Sequence, residues 1–493
     1  MSEVAAIQLG IVVGYLVVAL AIGVVAYRLS ERTAEDYYLA SRNFGTVVLL
    51  FTVFATLLSA FTFFGGPDES YLAGPEWLLI MGLMDGIIFA VLWYVIGYKQ
   101  WLLGQRHGYL TLGEMLGDRF GSRYLRGLVA GVSLVWLFPY VMLQQMGAGA
   151  ALTALTGGVV PYWAGAALIT VFMIVYVVLA GMRGIAWTDT FQGLFMLVVI
   201  WAAAIWVLVN VGGPTAATAS LEATSPELLA LGSGPYTPQL MLTLSISIAF
   251  GVAMFPQVNQ RFFVARSEAV MKRTLPLWPV VVTLLFVPAF LLGMWARGLG
   301  IEADVAAGES VLPLLLAEYT PYWFAALVVA GAIAAMMSSS DSMLLSGSSY
   351  FTRDLYRPFV DATVGARRED LLGRVGVVVF ACATYVASLG RPGTLIEIGD
   401  LAFSGFAQLA LPVMVALYWR GTTRAGITAG IAGSQLFYVA SQFTAVVPAT
   451  YAGWGASIVG MLLGLGLTIG VSLVTSRAVE EDVAAFATGS DAD

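Results

Sequence analysis

One cysteine, one histidine and two lysines are all that 493 residues hold of three residue types that carry much protein chemistry. Cys382, being alone, excludes an internal disulfide and any cysteine-based metal centre. His107 falls in a basic loop between two apolar runs, so no histidine proton relay is expected inside a membrane. Charge of either sign is scarce: 11% of residues are charged against 59% hydrophobic. Mean hydropathy is +0.86, far from that of a soluble globular chain. The lysine shortage, with a net charge of −7, fits a halophile or a GC-rich genome equally and does not bear on mechanism.

What the chain has instead is long apolar runs. A span needs about 20 apolar residues to cross roughly 30 Å of hydrocarbon. Thirteen runs qualify: 5–27, 44–66, 75–99, 127–153, 160–180, 188–211, 237–258, 275–297, 320–350, 373–391, 396–419, 425–445 and 453–476. The first is too long for a signal-peptide core and has no basic stretch before it, so it reads as a retained helix. The predicted fold class is an all-α polytopic membrane protein of about 13 spans in one membrane domain. An acidic tail, 477–493, follows the last span and is expected to be solvated.

Twenty-one of the 23 Lys and Arg residues then fall in alternate loops, on one side; the other side has only Arg297 and Arg391. By the positive-inside rule the N-terminus is expected outside and the C-terminus in the cytoplasm, in the cell membrane. The bilayer is the expected surrounding; neither a nucleic acid nor an obligate protein partner is implied.

Polar groups in hydrocarbon are costly, so those that remain are functional candidates. Five acids lie within or at the edge of runs: Asp85, Asp189, Asp341, Glu397 and Asp400. No Lys or Arg is expected near the middle of a span, so these acids are predicted to lack a buried cationic partner. They must be protonated, reach interfacial water or bind a cation. The ninth run sets Ser338, Asp341, Ser342, Ser346 and Ser349 on one helical stripe, with Ser339 beside it and Ala335 one turn earlier. Such a set of oxygens suits a hard cation such as Na⁺. Close helix packing would explain Ser346 and Ser349 but explains Asp341 poorly.

The second run ends on Gly65-Gly66-Pro67, and the seventh carries Gly251 and then Pro256; both read as interrupted helices. In transporters, breaks at matching positions of two halves point to the binding site. Asp189, opening the sixth run, is either a helix N-cap or a cation ligand facing the ninth. The i, i+4 pairs Tyr140/Gln144 and Ser404/Gln408 could line a polar path or bond across helices. No nucleophile–base pair or metal-ligand cluster is visible within the runs, so an enzyme is not expected.

Several stretches together resemble the sodium:solute symporter family. They are Ala34-Glu-Asp-Tyr-Tyr-Leu-Ala-Ser-Arg-Asn43, Ser59 to Pro67, Gly181-Met-Arg-Gly-Ile-Ala-Trp-Thr-Asp189 and Gln260-Arg-Phe-Phe-Val-Ala-Arg266. Ala334-Ala-Met-Met-Ser-Ser339 and Tyr350-Phe-Thr-Arg-Asp-Leu-Tyr356 complete the set. The resemblance implies a leucine-transporter-type 5+5 inverted repeat with one helix before the core (5–27) and two after it (425–476). The repeats would be 44–211 and 237–419. It implies Na⁺ as the coupling ion, held by the Ala55, Leu58 and Ala335 carbonyls and the Ser338 and Ser339 hydroxyls. In some members a second cation site would use the positions of Asp189, Ser338, Asp341 and Ser342, although those members have a hydroxyl where Asp341 stands. Substrate would lie near Ser59 and Thr62, with Tyr140, Gln144 and Gln408 as wall residues. Phe64-Gly-Gly-Pro67 with Tyr71, and Ile96 to Gly108, look most like the monocarboxylate and pantothenate branches. The implied function is Na⁺-driven import of a small organic solute, a carboxylate first, by alternating access. Proton coupling, or an amino-acid or sugar substrate, stands as the alternative. A sensor of this architecture is expected to append a signalling domain after residue 476, and a channel would not need two matched breaks.

Overall fold

The computed structural model describes residues 3–28, 42–232 and 236–476; the side chains of Asp85 and a few other helical residues lie outside the described set. Nearly every described element is helical, with one two-residue hairpin, Thr450–Tyr451 against Trp454–Gly455. In chain order the main helices are α1 Glu3–Val25, α2 Thr46–Leu57, α3 Phe61–Ala73 and α4 Pro75–His107. Next come α5 Leu112–Arg119, α6 Arg123–Leu155, α7 Tyr162–Leu179 and α8 Met182–Val211. The second half has α9 Pro214–Thr224, α10 Pro238–Met254, α11 Pro256–Val264 and α12 Glu268–Gly298. It goes on through α13 Val311–Tyr319, α14 Tyr322–Phe359, α15 Ala366–Ser388 and α16 Leu395–Tyr418. Last are α17 Arg424–Phe443 and α18 Ala456–Val474.

Backbone helicity runs unbroken from Tyr162 to Val211, yet α7 and α8 are two arms. Tyr176 Oη donates to Gly184 O at 2.9 Å and meets Thr188 Oγ1 at 2.6 Å. In a straight helix those positions would be about 12 and 18 Å away along the axis. The chain therefore folds back between them.

Among the described residues ten helices are long and apolar enough to span, and two bent pairs, α2+α3 (67°) and α10+α11 (57°), pass together, giving up to 12. Thirteen had been expected. The run that drops out is 425–445: α17 is a full 20-residue helix, but Ser434, Gln435, Ser441 and Gln442 dilute its apolarity. Its glycines press on α18 instead; a Cβ at Gly426 or Gly430 would lie 1.9 Å from Ser472 or Thr468 Oγ atoms. Small residues allow such close approach where lipid offers no hydrophobic drive between helices.

Outward faces carry exposed Val17, Val135, Val198, Val379 and Leu473, as lipid-facing helices require. The opposite extreme is α14, with 89% of its spanning window buried. It is the central post, packed on α1, α2, α6, α8 and α15.

The breaks differ in origin. At the second, Phe255 is extended (φ −58°, ψ 130°) before Pro256. Proline pushes its predecessor out of the helical region and then opens the next helix. The first break is not at Gly65-Gly66-Pro67 as the sequence suggests, but earlier, at Leu58–Ala60, where Leu58 is extended (φ −75°, ψ 130°). Pro67 is absorbed because the turn before it, Phe61–Gly65, is π-widened, which accommodates a missing N–H. Gly66 is instead a contact glycine: its Cβ would lie 2.0 Å from the Phe290 ring.

Candidate functional site

The break between α2 and α3 strips carbonyls of their usual i+4 donors. Ala60 N–H turns to Gln144 Oε1 on α6 (2.9 Å), and Thr62 N–H turns to Ser59 O (3.0 Å). The Ser339 hydroxyl on α14 donates to Thr56 O (2.8 Å) and Leu58 O (2.5 Å). Ser339 is fully buried, as are Ala55 and Thr56. The result is an oxygen-only cluster of the Ser339 hydroxyl with the Leu58 carbonyl, one of the expected positions, and the Thr56 carbonyl. The donor set is hard, neutral and free of nitrogen, which fits Na⁺. Thr56 was not singled out from sequence because any helix carbonyl is anonymous until the break is located.

The preceding residue on α14, Ser338, donates its hydroxyl to Asp189 Oδ1 at 2.5 Å. Asp189 is therefore no helix cap: it lies inside the helical arm with its carboxylate facing α2 and α14. Its Oδ2 accepts from Thr52 Oγ1 (2.5 Å) and from Arg261 Nη2 (3.2 Å). The expectation that the intramembrane acids lack a cationic partner is thus overturned for Asp189. Arg261 and Asp189 are both 0% exposed. The guanidinium also donates to Ser342 Oγ (2.5 Å), Gln257 O (3.1 Å) and Thr52 Oγ1 (3.3 Å). Arg261 was assigned to a loop because the seventh run seemed to end at 258. The helix restarts at Pro256, and one more turn carries Arg261 into the interior.

Asp341 is 2% exposed, and its Oδ1 makes no hydrogen bond among the described residues. Gln257, beside the second break, is fully buried with both amide atoms unpaired among those residues. Unsatisfied buried polar atoms are rare and call for a ligand, a water or a second conformation. Of the other acids, Glu397 forms a capping box with Thr394 and Asp400 Oδ1 is buried without a partner among the described residues.

Of the expected substrate residues, Ser59 meets Tyr140 Oη at 3.1 Å, and Gln144 Nε2 donates to Tyr140 O. The Tyr140 ring packs on Phe255 and Phe403 (centroids 5.0 and 5.2 Å). Those three, with Phe61, join both breaks to α16. Thr62 lines a cavity of ≈ 30 Å³ with Phe61, Trp278 and Phe403. That volume holds about one water. The structure does not bring Gln408 there: its Nε2 donates to Ser404 O and Ser457 O, facing α18.

The two faces of the molecule are closed differently. On the arginine-rich side, Arg126 pairs with Glu114 (3.0 Å) and Asp354 (2.7 Å), and Arg353 with Glu114 (3.1 Å) and Glu369 (3.3 Å). Arg42 donates to Phe263 O and Tyr109 O there. Phe44 N–H donates to Val264 O, tying the start of α2 to the end of α11. On the other side a vestibule of ≈ 340 Å³ opens between Asp68, Tyr162, Glu309, Arg391 and Glu397.

A helical membrane protein with two broken helices around a buried oxygen cluster, sealed on one face and cupped on the other, has the architecture of a secondary transporter. Residues 37–433 match the sodium:solute symporter family, and the chain belongs to that family. It is thus a sodium-coupled solute symporter of leucine-transporter-type fold, with Na⁺ as coupling ion. It is 29% identical to the sodium/pantothenate symporter of Escherichia coli, over 94% of this chain and 98% of that one. It is 27% identical to the sodium/proline symporter of Haemophilus influenzae (85% and 84%). Identity to a monocarboxylate transport permease protein of Rhizobium johnstonii is 24% (87% and 87%). In fold it matches a Na⁺-coupled sialic acid symporter in a substrate-bound outward-open state, with TM-score 0.82, 20% identity and 96% and 99% coverage. A nucleobase-cation-symport-1 family transporter in a closed conformation gives TM-score 0.61 at 15% identity, over 91% and 97%.

Proposed function

We propose that this symporter imports a small organic carboxylate, with Na⁺ held at the α2–α3 break by the Ala55, Thr56 and Leu58 carbonyls and the Ser339 hydroxyl. The observation that carries the ion site is the Ser339 hydroxyl spanning two carbonyls freed by the break. An arriving Na⁺ replaces that hydroxyl's proton as their partner, and the hydroxyl turns its lone pairs to the ion. The carbonyl of Ala335 and the hydroxyl of Ser338 lie on the facing turns of α14. Ser59, Thr62, Tyr140 and Gln144 form the solute's polar wall. The names of the pantothenate and monocarboxylate relatives support a carboxylate; helix N-termini and bound Na⁺ supply its positive field.

The repeats are read as 44–211 and 237–419, with the N-terminus outside and the arginine-rich face in the cytoplasm. Single cysteines placed in 212–232 and 100–124, in a Cys382→Ala background, test this; equal labelling by an impermeant reagent in intact cells defeats it. One charge crossing 100 mV gains about 2.3 kcal/mol, enough for roughly fiftyfold accumulation. Uptake into proteoliposomes across pantothenate, short monocarboxylates, proline and a sugar should be fastest for a carboxylate under an inward Na⁺ gradient. Rates indifferent to Na⁺ for every solute defeat the coupling; a faster sugar or proline flux defeats the carboxylate.

A further inference from the structure

The residues expected to hold a second cation already hold one. Asp189 and Ser342, two of that set, bond directly to the Arg261 guanidinium, while Ser338 is committed to Asp189 Oδ1. Thr52 and the Gln257 carbonyl complete the cradle, so four donor contacts from Arg261 reach α2, α8, α14 and its own helix. Asp189 and Arg261 are both fully buried, and the fork of a guanidinium suits such divergent oxygens. Of the four expected ligands only Asp341 keeps an oxygen without a partner among the described residues.

We infer that Arg261 is a tethered cation in the second ion position, so that this chain binds and couples a single Na⁺, at the α2–α3 break. A free ion there would load and leave in each cycle; a side chain cannot leave. Its positive charge excludes a Na⁺ from the oxygens it holds, and Asp189 needs no transported ion for neutrality. The two broken helices are then stapled on the arginine-rich side by a fixed charge instead of an exchangeable one.

This inference rests on the sodium-symport reading, but its test requires no solute. Equilibrium binding of ²²Na⁺ to the purified full chain should give one site per molecule in the wild type. Arg261→Gln should gain a second Na⁺, which adding Asp189→Asn removes again; Arg261→Lys, which keeps the charge, should stay at one. Two sites in the wild type overturn the inference by themselves, whether or not any variant folds. An unchanged single site in a folded Arg261→Gln also overturns it. Single-site binding together with Na⁺-independent uptake would instead count against the function proposed above and leave the tethered cation standing.

Discussion

The two helix breaks are counterparts in the fold and opposites in chemistry. The α10–α11 break is written into the chain: Pro256 forces Phe255 out of the helix, and Arg261 one turn on brings its own charge. The α2–α3 break has no proline at it. Leu58–Ala60 is kept open from outside, by Gln144 on α6 taking the Ala60 N–H and Ser339 on α14 taking two carbonyls. One break is fixed by covalent structure and neutralised internally. The other is neutral, rich in carbonyl oxygen and held by exchangeable hydrogen bonds, which is what a site must be if a diffusing ion is to enter, be held and leave.

The largest effect expected from this contrast is at the fixed break. Removing one member of a buried ion pair strands the other, at about 3–5 kcal/mol. Asp189→Ala should therefore sharply lower the melting temperature of the purified chain, and adding Arg261→Met should recover much of the loss. Equal melting of wild type and Asp189→Ala would mean that the pair does not hold these helices together.

At the exchangeable break the effect should fall on ion affinity more than on stability. Ser339→Ala leaves two buried carbonyls without their donor and the ion without a ligand, on the order of 1–3 kcal/mol, or roughly five- to hundredfold in Na⁺ half-saturation. Ser338→Ala should shift it less, because in this conformation its hydroxyl serves Asp189. Uptake measured against Na⁺ concentration separates them; a larger shift in Ser338→Ala would reverse the assignment.

The helical membrane fold was readable in the sequence because hydropathy runs are local patterns. Pro256 was readable because proline acts on its own neighbour. The first break was misplaced to Gly65-Gly66-Pro67 because its true cause is a pair of side chains more than 80 residues away in the chain. Arg261 was missed for a related reason: a run that stops at a proline looks finished, and the polar residues after it look like loop. Gln408 shared the i, i+4 spacing of a wall residue, but spacing fixes a face only relative to the same helix. That face meets α18, while Phe403 on the other side of α16 meets the breaks. The hydropathy of α17 falls short because Gly426 and Gly430 press on α18 and Ser434 and Gln435 bond to α16.

The smallest effect expected is also the sharpest test of which break is held from outside. In the folded protein Phe255 is also packed on Tyr140, Phe403 and Phe406, so Pro256→Ala should remove only the proline's entropic advantage, about 0.4–1 kcal/mol. Gln144→Leu should cost more, about 1–3 kcal/mol, since it strands the buried Ala60 N–H. The two variants should also differ in kind. Gln144→Leu frees the segment that carries Ser59 and the Leu58 carbonyl, so Na⁺ half-saturation should rise with it; Pro256→Ala should leave that value alone and lower only the melting temperature. A Pro256→Ala variant that weakens Na⁺ activation as much as Gln144→Leu would show that the breaks are not separable, and that the ion senses both helices as one element.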